Sequence, residues 1–427
     1  MKHIVILAFL AFFAGISLAQ DTTQQALNAQ GWIQQNSGTT NGFGSVKFTS
    51  ADTGWVASGG GVILRTVDGG QHWVQLPVPD PLGVSCIDAV DGKTAWCSDD
   101  GSHGNMFFTN DGGQSWIQQI PNSGGSGIES LAFPTRNTGF GVGGTLGSLI
   151  KTTNGGQSWT NYTLGPGYLY TVNFLDSLNG LIAGDGIMYR IINGGPGRIV
   201  QKDTTFSIVD LYGCWLASPS REFAVGVEAA SNGVAVIVRS TDGGNSWARA
   251  TLPDKFKLTI LQAITFTDSL HGTVVGSNGG ILHTTDGGDT WNQQESGVKA
   301  DLNSVSFVDS LTGTIVGAGG VILRTANGGD SWVQPNSNLD SLSVQMYPDP
   351  ANQNINISYI LPVPQTVTLS ILSLSGQQVS LVLNSVFETD GQHTIPITIS
   401  SFASGTYIYQ LQTEKYFSTG QFIIYHS

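Results

Sequence analysis

Charge is scarce in this chain. Asp, Glu, Lys and Arg together make up 11% of the 427 residues, and 17 basic residues against 30 acidic ones leave a net charge of -13. A surface that binds phosphate backbones needs clustered Lys and Arg. No such cluster occurs, so nucleic acid is excluded as an expected partner, and the acidic balance favours solubility. Cysteine is nearly absent, with three residues, too few for a disulfide-built scaffold. Cys86 and Cys97 fall on two adjacent strands joined by a tight turn near Asp91-Gly92, which leaves a bridge between them open. Cys214 reads as a small buried hydrophobe. Glutamate is limited to Glu129, Glu222, Glu228, Glu295, Glu388 and Glu414. A glycosidase needs two carboxylates at a set separation, and no motif frames any of these six. No Cys–His pair, Gly-x-Ser-x-Gly elbow, His-Glu-x-x-His or phosphate-binding Gly-x-x-x-x-Gly-Lys loop is present. Neither a cofactor nor a metal is expected. The chain also lacks amphipathic helical periodicity.

The longest apolar stretch stands at the start. Lys2 and His3 precede Ile4 to Leu10, extended through Phe12, Phe13 and Ile16, and Ser17-Leu18-Ala19 supplies small residues before Gln20. The run falls short of the roughly 20 residues that span a bilayer. It reads as a secretory signal over residues 1–19, with no transmembrane segment left in the mature chain.

Glycine is abundant, at 57 residues, and much of it is ordered by a repeat. Seven times a strand ends in Thr or Ser, turns through Asp or Asn and two glycines, and restarts at an aromatic. Thr66-Val67-Asp68-Gly69-Gly70-Gln71-His72-Trp73 is the first copy. Others run from Thr109 to Trp116, Thr152 to Trp159, Ser240 to Trp247, Thr284 to Trp291 and Thr325 to Trp332, with a worn copy at Ile191 to Arg198. The acidic or amide position falls at Asp68, Asp111, Asn154, Asn193, Asp242, Asp286 and Asn327, at intervals of 39 to 49 residues. That is the length of one four-stranded propeller blade. Each repeat begins with an alternating strand such as Ser45-Val46-Lys47-Phe48 or Ser304-Val305-Ser306-Phe307. A polar turn, a Gly- and Val-rich strand, a glycine loop and a strand such as Val321-Ile322-Leu323-Arg324 follow. The turn carboxylate or amide can accept neighbouring backbone N–H groups, and the aromatic fills space between sheets. Seven copies of one device in equivalent places serve shape, not reaction. Arg65, Arg190, Arg239 and Arg324, with Lys151 and His283, stand just before the turns and read as partners of the local acidic turn. Trp32-Ile33-Gln34-Gln35 resembles Trp116-Ile117-Gln118-Gln119 and reads as a spare fourth strand that closes the ring against the last blade.

The expected fold is all-β: a seven-bladed propeller over residues 31–335, a linker over 336–343, and a small Ig-like β-sandwich over 344–427, where period-2 strands continue without the repeat. Sites on such a ring belong on the face opposite the repeated turns. Candidates for a binding rim there are Asp99, Asp100 and His103 in one loop, Asp185 in a second, Glu228 in a third, and Tyr168, Tyr170, Lys255 and Lys257 on the links between blades.

The repeats resemble the Asp-box (BNR) repeat of sialidases, sortilin-type receptors and the photosystem II stability/assembly factor family, most in style the last. The resemblance covers residues 31–334 and implies the propeller, not a role. The tail resembles the type A sorting domain of type IX secretion in Bacteroidetes-like bacteria, through Met346-Tyr347-Pro348-Asp349-Pro350-Ala351, Leu374-Ser375-Gly376-Gln377-Gln378-Val379 and Phe402-Ala403-Ser404-Gly405-Thr406-Tyr407. Asp349 stands where that family usually has Asn, and Gln377 and Gln421 where basic residues are common. The resemblance implies handling by the secretion machinery and a secreted or outer-membrane surface location. A photosynthetic role does not follow from it. Sialidase chemistry would require an Arg-Ile-Pro entry motif, three converging arginines and a Tyr–Glu pair. The entry motif is missing, and a xyloglucanase-like enzyme would need a second propeller. The expectation is a non-enzymatic binding or scaffold propeller with a protein or glycan partner. The alternative is an Asp-box glycoside hydrolase.

Overall fold

The computed structural model describes residues 31–427 apart from 81–82, 100–103, 120–126, 145, 195–198, 202–208, 229–232, 254–255, 257–258, 330–339, 343, 349, 374–377, 414 and 427. The expected signal segment, the repeat aromatic Trp332 and most of the expected linker lie outside the described residues. Two compact units separate: Gly31–Asp330, and the part that begins at Ser331.

The first unit holds seven four-stranded antiparallel sheets. Their inner strands are Ser45–Phe48, Val84–Ala89, Ser130–Ala132, Leu169–Phe174, Val209–Leu216, Leu261–Phe266 and Leu302–Phe307. Each inner strand touches the next, and the seventh touches the first. The sheets therefore close into a ring, here numbered blades 1 to 7. The inner strands alternate between buried apolar residues and small polar ones, and the polar ones tie the ring together. Ser304 accepts from the Val46 amide at 3.3 Å, Ser45 from Ile87 at 3.2 Å, Ser130 from Val172 at 3.2 Å and Asn173 from Leu216 at 3.0 Å. Asp88 accepts from the Phe133 amide at 2.6 Å and from Lys47 at 2.9 Å. An inner-strand edge that would otherwise expose its amides is satisfied by the neighbouring blade.

Blade 7 contains strands from both ends of the ring. Its order from the centre outward is Leu302–Phe307, Gly313–Gly317, Ile322–Thr325 and Ile33–Gln35, with Ile33 opposite Arg324. The spare strand is the outermost one. Trp32 is buried edge-on to Phe307, with ring centroids 5.8 Å apart, and its indole donates to Gln294 of blade 6 at 2.9 Å.

Seams between blades are aromatic and cationic. Trp96 stacks on Phe133 at 3.7 Å, Phe140 on Phe174 at 3.9 Å and Phe223 on Phe266 at 4.3 Å, each pair spanning two blades. The basic residues before the repeated turns do not serve the local acidic turn, as the sequence suggested; they reach the following blade. Arg324 donates to the Ala51 carbonyl at 2.5 Å and lies over Phe48, Arg190 donates to the Pro219 carbonyl at 2.9 Å and pairs with buried Glu222, Lys151 donates to the Gly194 carbonyl, and Arg239 pairs with Asp289. The reason is reach: a long side chain at the end of the third strand passes its own turn and meets the next sheet. His283 instead hydrogen-bonds Thr273 in its own blade. Blade 2 carries Phe108 at this position, beside a groove of about 550 Å³ lined partly by Trp96, Ile117 and Arg136.

The cysteine pair is a correction. Cys86 and Cys97 are buried free thiols, as is Cys214. Ile87, not Cys86, lies opposite Cys97 after a register shift in the inner strand. Cys97 therefore packs with Trp55 and Ile87 on one side of the blade, and Cys86 with Trp96 and Ile128 on the other.

The second unit is a two-sheet sandwich with five strands in one sheet and three in the other. Ile355, Ile357 and Tyr359 of Asn354–Leu361 share one core with Leu369, Ile371, Tyr409, Leu411 and Phe422 of the facing sheet. Its first strand, Asp340–Ser341, pairs parallel with Tyr416–Phe417. Residues expected within the linker thus already belong to this sheet.

Candidate functional site

Six repeated turns share one hydrogen-bond pattern. In blade 6 the Thr284 hydroxyl donates to Asp286 at 2.8 Å and accepts from the Gly288 amide at 2.9 Å. Asp286 in turn accepts from the Thr290 amide at 2.9 Å and hydroxyl at 2.6 Å. Asp68, Asp111, Asn154 and Asp242 repeat this core, and in blade 7 Thr325 and Asn327 show its hydroxyl half, the residue that would complete it lying outside the described residues. Both glycines of each turn are left-handed, with φ from 71° to 85° at Gly69 and Gly70, where a β-carbon is strained. In the worn copy Ile191 has no hydroxyl to offer, and Asn193 itself takes the left-handed conformation at φ 55°. The hydroxyls and carboxyl or amide oxygens of this pattern are spent on the hairpin among the described residues.

The opposite end of the ring differs. Counting four positions back from Phe48, Ala89, Phe133, Phe174, Leu216, Phe266 and Phe307 gives Gly44, Ser85, Glu129, Tyr170, Tyr212, Gln262 and Asn303. These seven residues encircle one mouth of a central channel of about 390 Å³. The residue before each is a buried apolar anchor: Phe43, Val84, Ile128, Leu169, Leu211, Leu261 and Leu302. Scaffold positions repeat around the ring, while the mouth position varies, with tyrosine shared by blades 4 and 5 alone. Tyr170, Tyr212, Gln262 and Asn303 sit at register shifts in their inner strands. A bulge of this kind re-aims a side chain that regular alternation would place elsewhere.

Blades 3 to 5 make the mouth aromatic and acidic. Tyr168, Tyr170 and Tyr212 form a row, with ring centroids 5.1 Å apart in each neighbouring pair. The Tyr168 hydroxyl donates to Glu129, and the Tyr212 hydroxyl reaches Asp210 at 3.5 Å. Backbone pairing of Asp185 with Asp210 clasps a blade 4 loop to blade 5 and brings the two carboxyls together. Burial pushes the Asp210 carboxyl above the usual carboxylate range. The adjacent Asp185 charge and a hydrogen bond with it push in the same direction, against the Tyr212 hydroxyl. Burial, followed by the Asp210 charge, pushes the Tyr170 phenol up to about 12. Tyr168 is raised by burial and by Glu129, and Tyr212 by burial and by Asp210. All three phenols are therefore neutral at neutral pH. Lys47, the single basic residue lining the channel among the described residues, is paired with Asp88.

The structure brings Tyr168, Tyr170 and Asp185 together as one rim. It does not bring Asp99 there: Asp99 is buried, with Asn105 donating to its carboxylate at 2.9 Å. Glu228 is held by Arg249 of the outer strand of its own blade at 2.8 Å. Asp100, His103, Lys255 and Lys257 lie outside the described residues. Sequence reasoning left Glu129, Asp210 and Tyr212 out of the rim; the position-by-position count along the inner strands finds Glu129 and Tyr212, and no sequence signal marks Asp210. The Tyr168–Glu129 pair has the form a sialidase uses, but Arg65, Arg190, Arg239 and Arg324 occupy the turn-side ends of the third strands. No arginine lines the channel among the described residues.

Residues 240–340 match the family model described as photosynthesis system II assembly factor YCF48, and residues 345–425 match the secretion system C-terminal sorting domain. The chloroplastic photosystem II stability/assembly factor HCF136 of Arabidopsis thaliana is 24% identical over 260 residues, which cover 56% of this chain and 63% of that protein. The structure of YCF48 bound to D1 peptide superimposes with a TM-score of 0.56 at 18% identity, covering 70% of this chain and 95% of that one. PorZ, a surface component of the type IX secretion system of Porphyromonas gingivalis, gives a TM-score of 0.51 at 12% identity over 90% of this chain and 60% of PorZ. The chain thus joins an assembly-factor-like propeller to a sorting tail of the secretion-system type.

Proposed function

We propose that this protein is a secreted or cell-surface binding propeller without catalytic activity, exported through a cleaved signal over residues 1–19 and then by the type IX machinery that reads the tail. The channel mouth over blades 3 to 5 engages a protein partner. The carrying observation is the contrast within one repeat: six turns share one structural hydrogen-bond pattern, while the equivalent mouth positions diverge into residues such as Glu129, Tyr170 and Tyr212. The relative solved with a bound peptide supports a peptide-binding use of this fold. The raised Tyr168 phenol and a channel lining without arginine among the described residues argue against chemistry at Tyr168. The test is capture of surface proteins, alongside a glycan array, by the mature full chain and by a Tyr170→Ala/Tyr212→Ala variant. A partner retained by the wild type and lost by the variant supports the reading; equal capture by both refutes it.

The Tyr168–Glu129 pair and the adjoining carboxyls Asp185 and Asp210 favour a second reading, an Asp-box glycoside hydrolase. A fluorogenic sialoside and polysaccharide panel decides between them. Turnover abolished by Glu129→Gln or Asp210→Asn would install the hydrolase.

A further inference from the structure

We propose that the mouth over blades 3 to 5 takes a basic side chain, lysine or arginine, presented by the protein partner; the proposal rests on the binding reading above. Three neutral rings lie in a row with half-buried faces, and Glu129, Asp185 and Asp210 surround them. A cation over a tyrosine face gains from the ring quadrupole, and nearby carboxylates add direct attraction. The same chemistry already operates within this molecule. Arg324 lies 4.6 Å over Phe48, Arg65 5.2 Å over Trp55 and Lys151 5.6 Å over Phe140. Those cations belong to the chain and seal its seams. At the mouth the rings and acids are assembled, and among the described residues the one base lining the channel, Lys47, is committed to Asp88. The bulges at Tyr170 and Tyr212 turn both rings toward the channel at a local cost in strand pairing. A neutral sugar would stack on the rings and donate its hydroxyls to the carboxylates, but it would gain no charge attraction, and its binding would not weaken as salt rises.

Titration calorimetry of the mature full chain with octa-arginine, octa-lysine, fully acetylated octa-lysine and xyloglucan oligosaccharides tests this. Octa-arginine and octa-lysine should bind, and more weakly as salt rises. Tyr170→Ala/Tyr212→Ala and Asp185→Asn/Asp210→Asn should each weaken binding about tenfold or more, while Tyr170→Phe/Tyr212→Phe, which keeps the ring faces, should stay within about threefold of wild type. Asp52→Asn/Asp390→Asn removes the same charge at exposed sites elsewhere and should leave binding unchanged. An equal loss in that control would reduce the effect to bulk acidity and overturn the proposal. Acetylated octa-lysine binding as well as its parent would also overturn it. Oligosaccharide binding that Tyr170→Ala/Tyr212→Ala abolishes would overturn the ligand class yet leave the mouth as the binding site. Indifference of every probe to every mouth variant would remove both.

Discussion

Gly313 begins the second strand of blade 7, and a β-carbon there would fall 2.4 Å from the Phe307 ring. Gly54, Gly139, Gly180 and Gly272 stand in the same relation to Phe48, Phe133, Phe174 and Phe266, with distances from 2.2 to 2.7 Å. These glycines are required by a ring lying flat on the strand, not by unusual dihedrals. The two remaining blades support the rule: where the second strand opens with Ala95 or Glu222, its partner is Ala89 or Leu216 and not phenylalanine. Gly313→Ala should therefore destabilise the protein by about 1–3 kcal/mol in denaturant unfolding. The cost should shrink to below about 1 kcal/mol in a Phe307→Leu background, because the two residues form one contact. Additive effects would disprove the pairing. The phenylalanine and the glycine are each visible in the sequence; their mutual dependence is not, because it needs the strand register. The same holds for Cys86 and Cys97. Their spacing suggested facing strands, and one shifted residue turned them to opposite sides of the sheet.

Within the turns, three aspartates carry a pH signature. Side-chain and backbone hydrogen bonds from Ser115, Ser246 and Thr290 hold Asp111, Asp242 and Asp286 down to about 2. A carboxyl depressed in the folded state contributes stability that is whole above its unfolded value of about 3.9 and is lost as pH falls through the folded value. Unfolding free energy should therefore be flat with respect to these groups down to about pH 4 and decline toward pH 2. Blades 3 and 7 show the remedy, since Asn154 and Asn327 accept the Thr hydroxyl in the same way with no proton to gain. The triple variant Asp111→Asn/Asp242→Asn/Asp286→Asn should show a shallower acid decline in urea titrations at stepped pH; an unchanged slope would assign acid sensitivity to other groups. The closing strand is a second device at this scale. Removing residues 20–35 would leave Ile322–Thr325 as an open edge, a template for pairing with another chain. Size-exclusion chromatography should show that truncation forming oligomers at concentrations where the full chain is monodisperse by the same column. The turns and the closing strand were legible in the sequence because each is a copy of something repeated. The rim was only half legible: Tyr168, Tyr170 and Asp185 stand on links and loops, whereas Asp210 joins them through a bridge between blades that no local pattern announces. Asp99 misled because it reads as a loop acid; it ends the strand Ala95–Asp99 and is itself buried, with Asn105 donating to it.

Each unit buries its own stretch of chain among the described residues. Every buried cluster of the propeller ends by Leu323, and the sandwich cluster begins at Leu342. The ring is closed by its own first strand, so the expectation is that the tail contributes an address and not stability. The prediction joins fold and export. A chain ending at residue 340 should unfold at the same denaturant midpoint as the propeller transition of the full protein, because the seven sheets and the closing strand all precede that point. In a bacterium equipped with type IX secretion, the same truncation should accumulate in the periplasm, whereas the full chain reaches the surface or the medium. Fractionation with antibody against the propeller reads both outcomes. Surface display of the truncated chain would mean that the propeller carries its own export signal. A shifted midpoint would mean that the ring depends on the sandwich, against the separation of their cores.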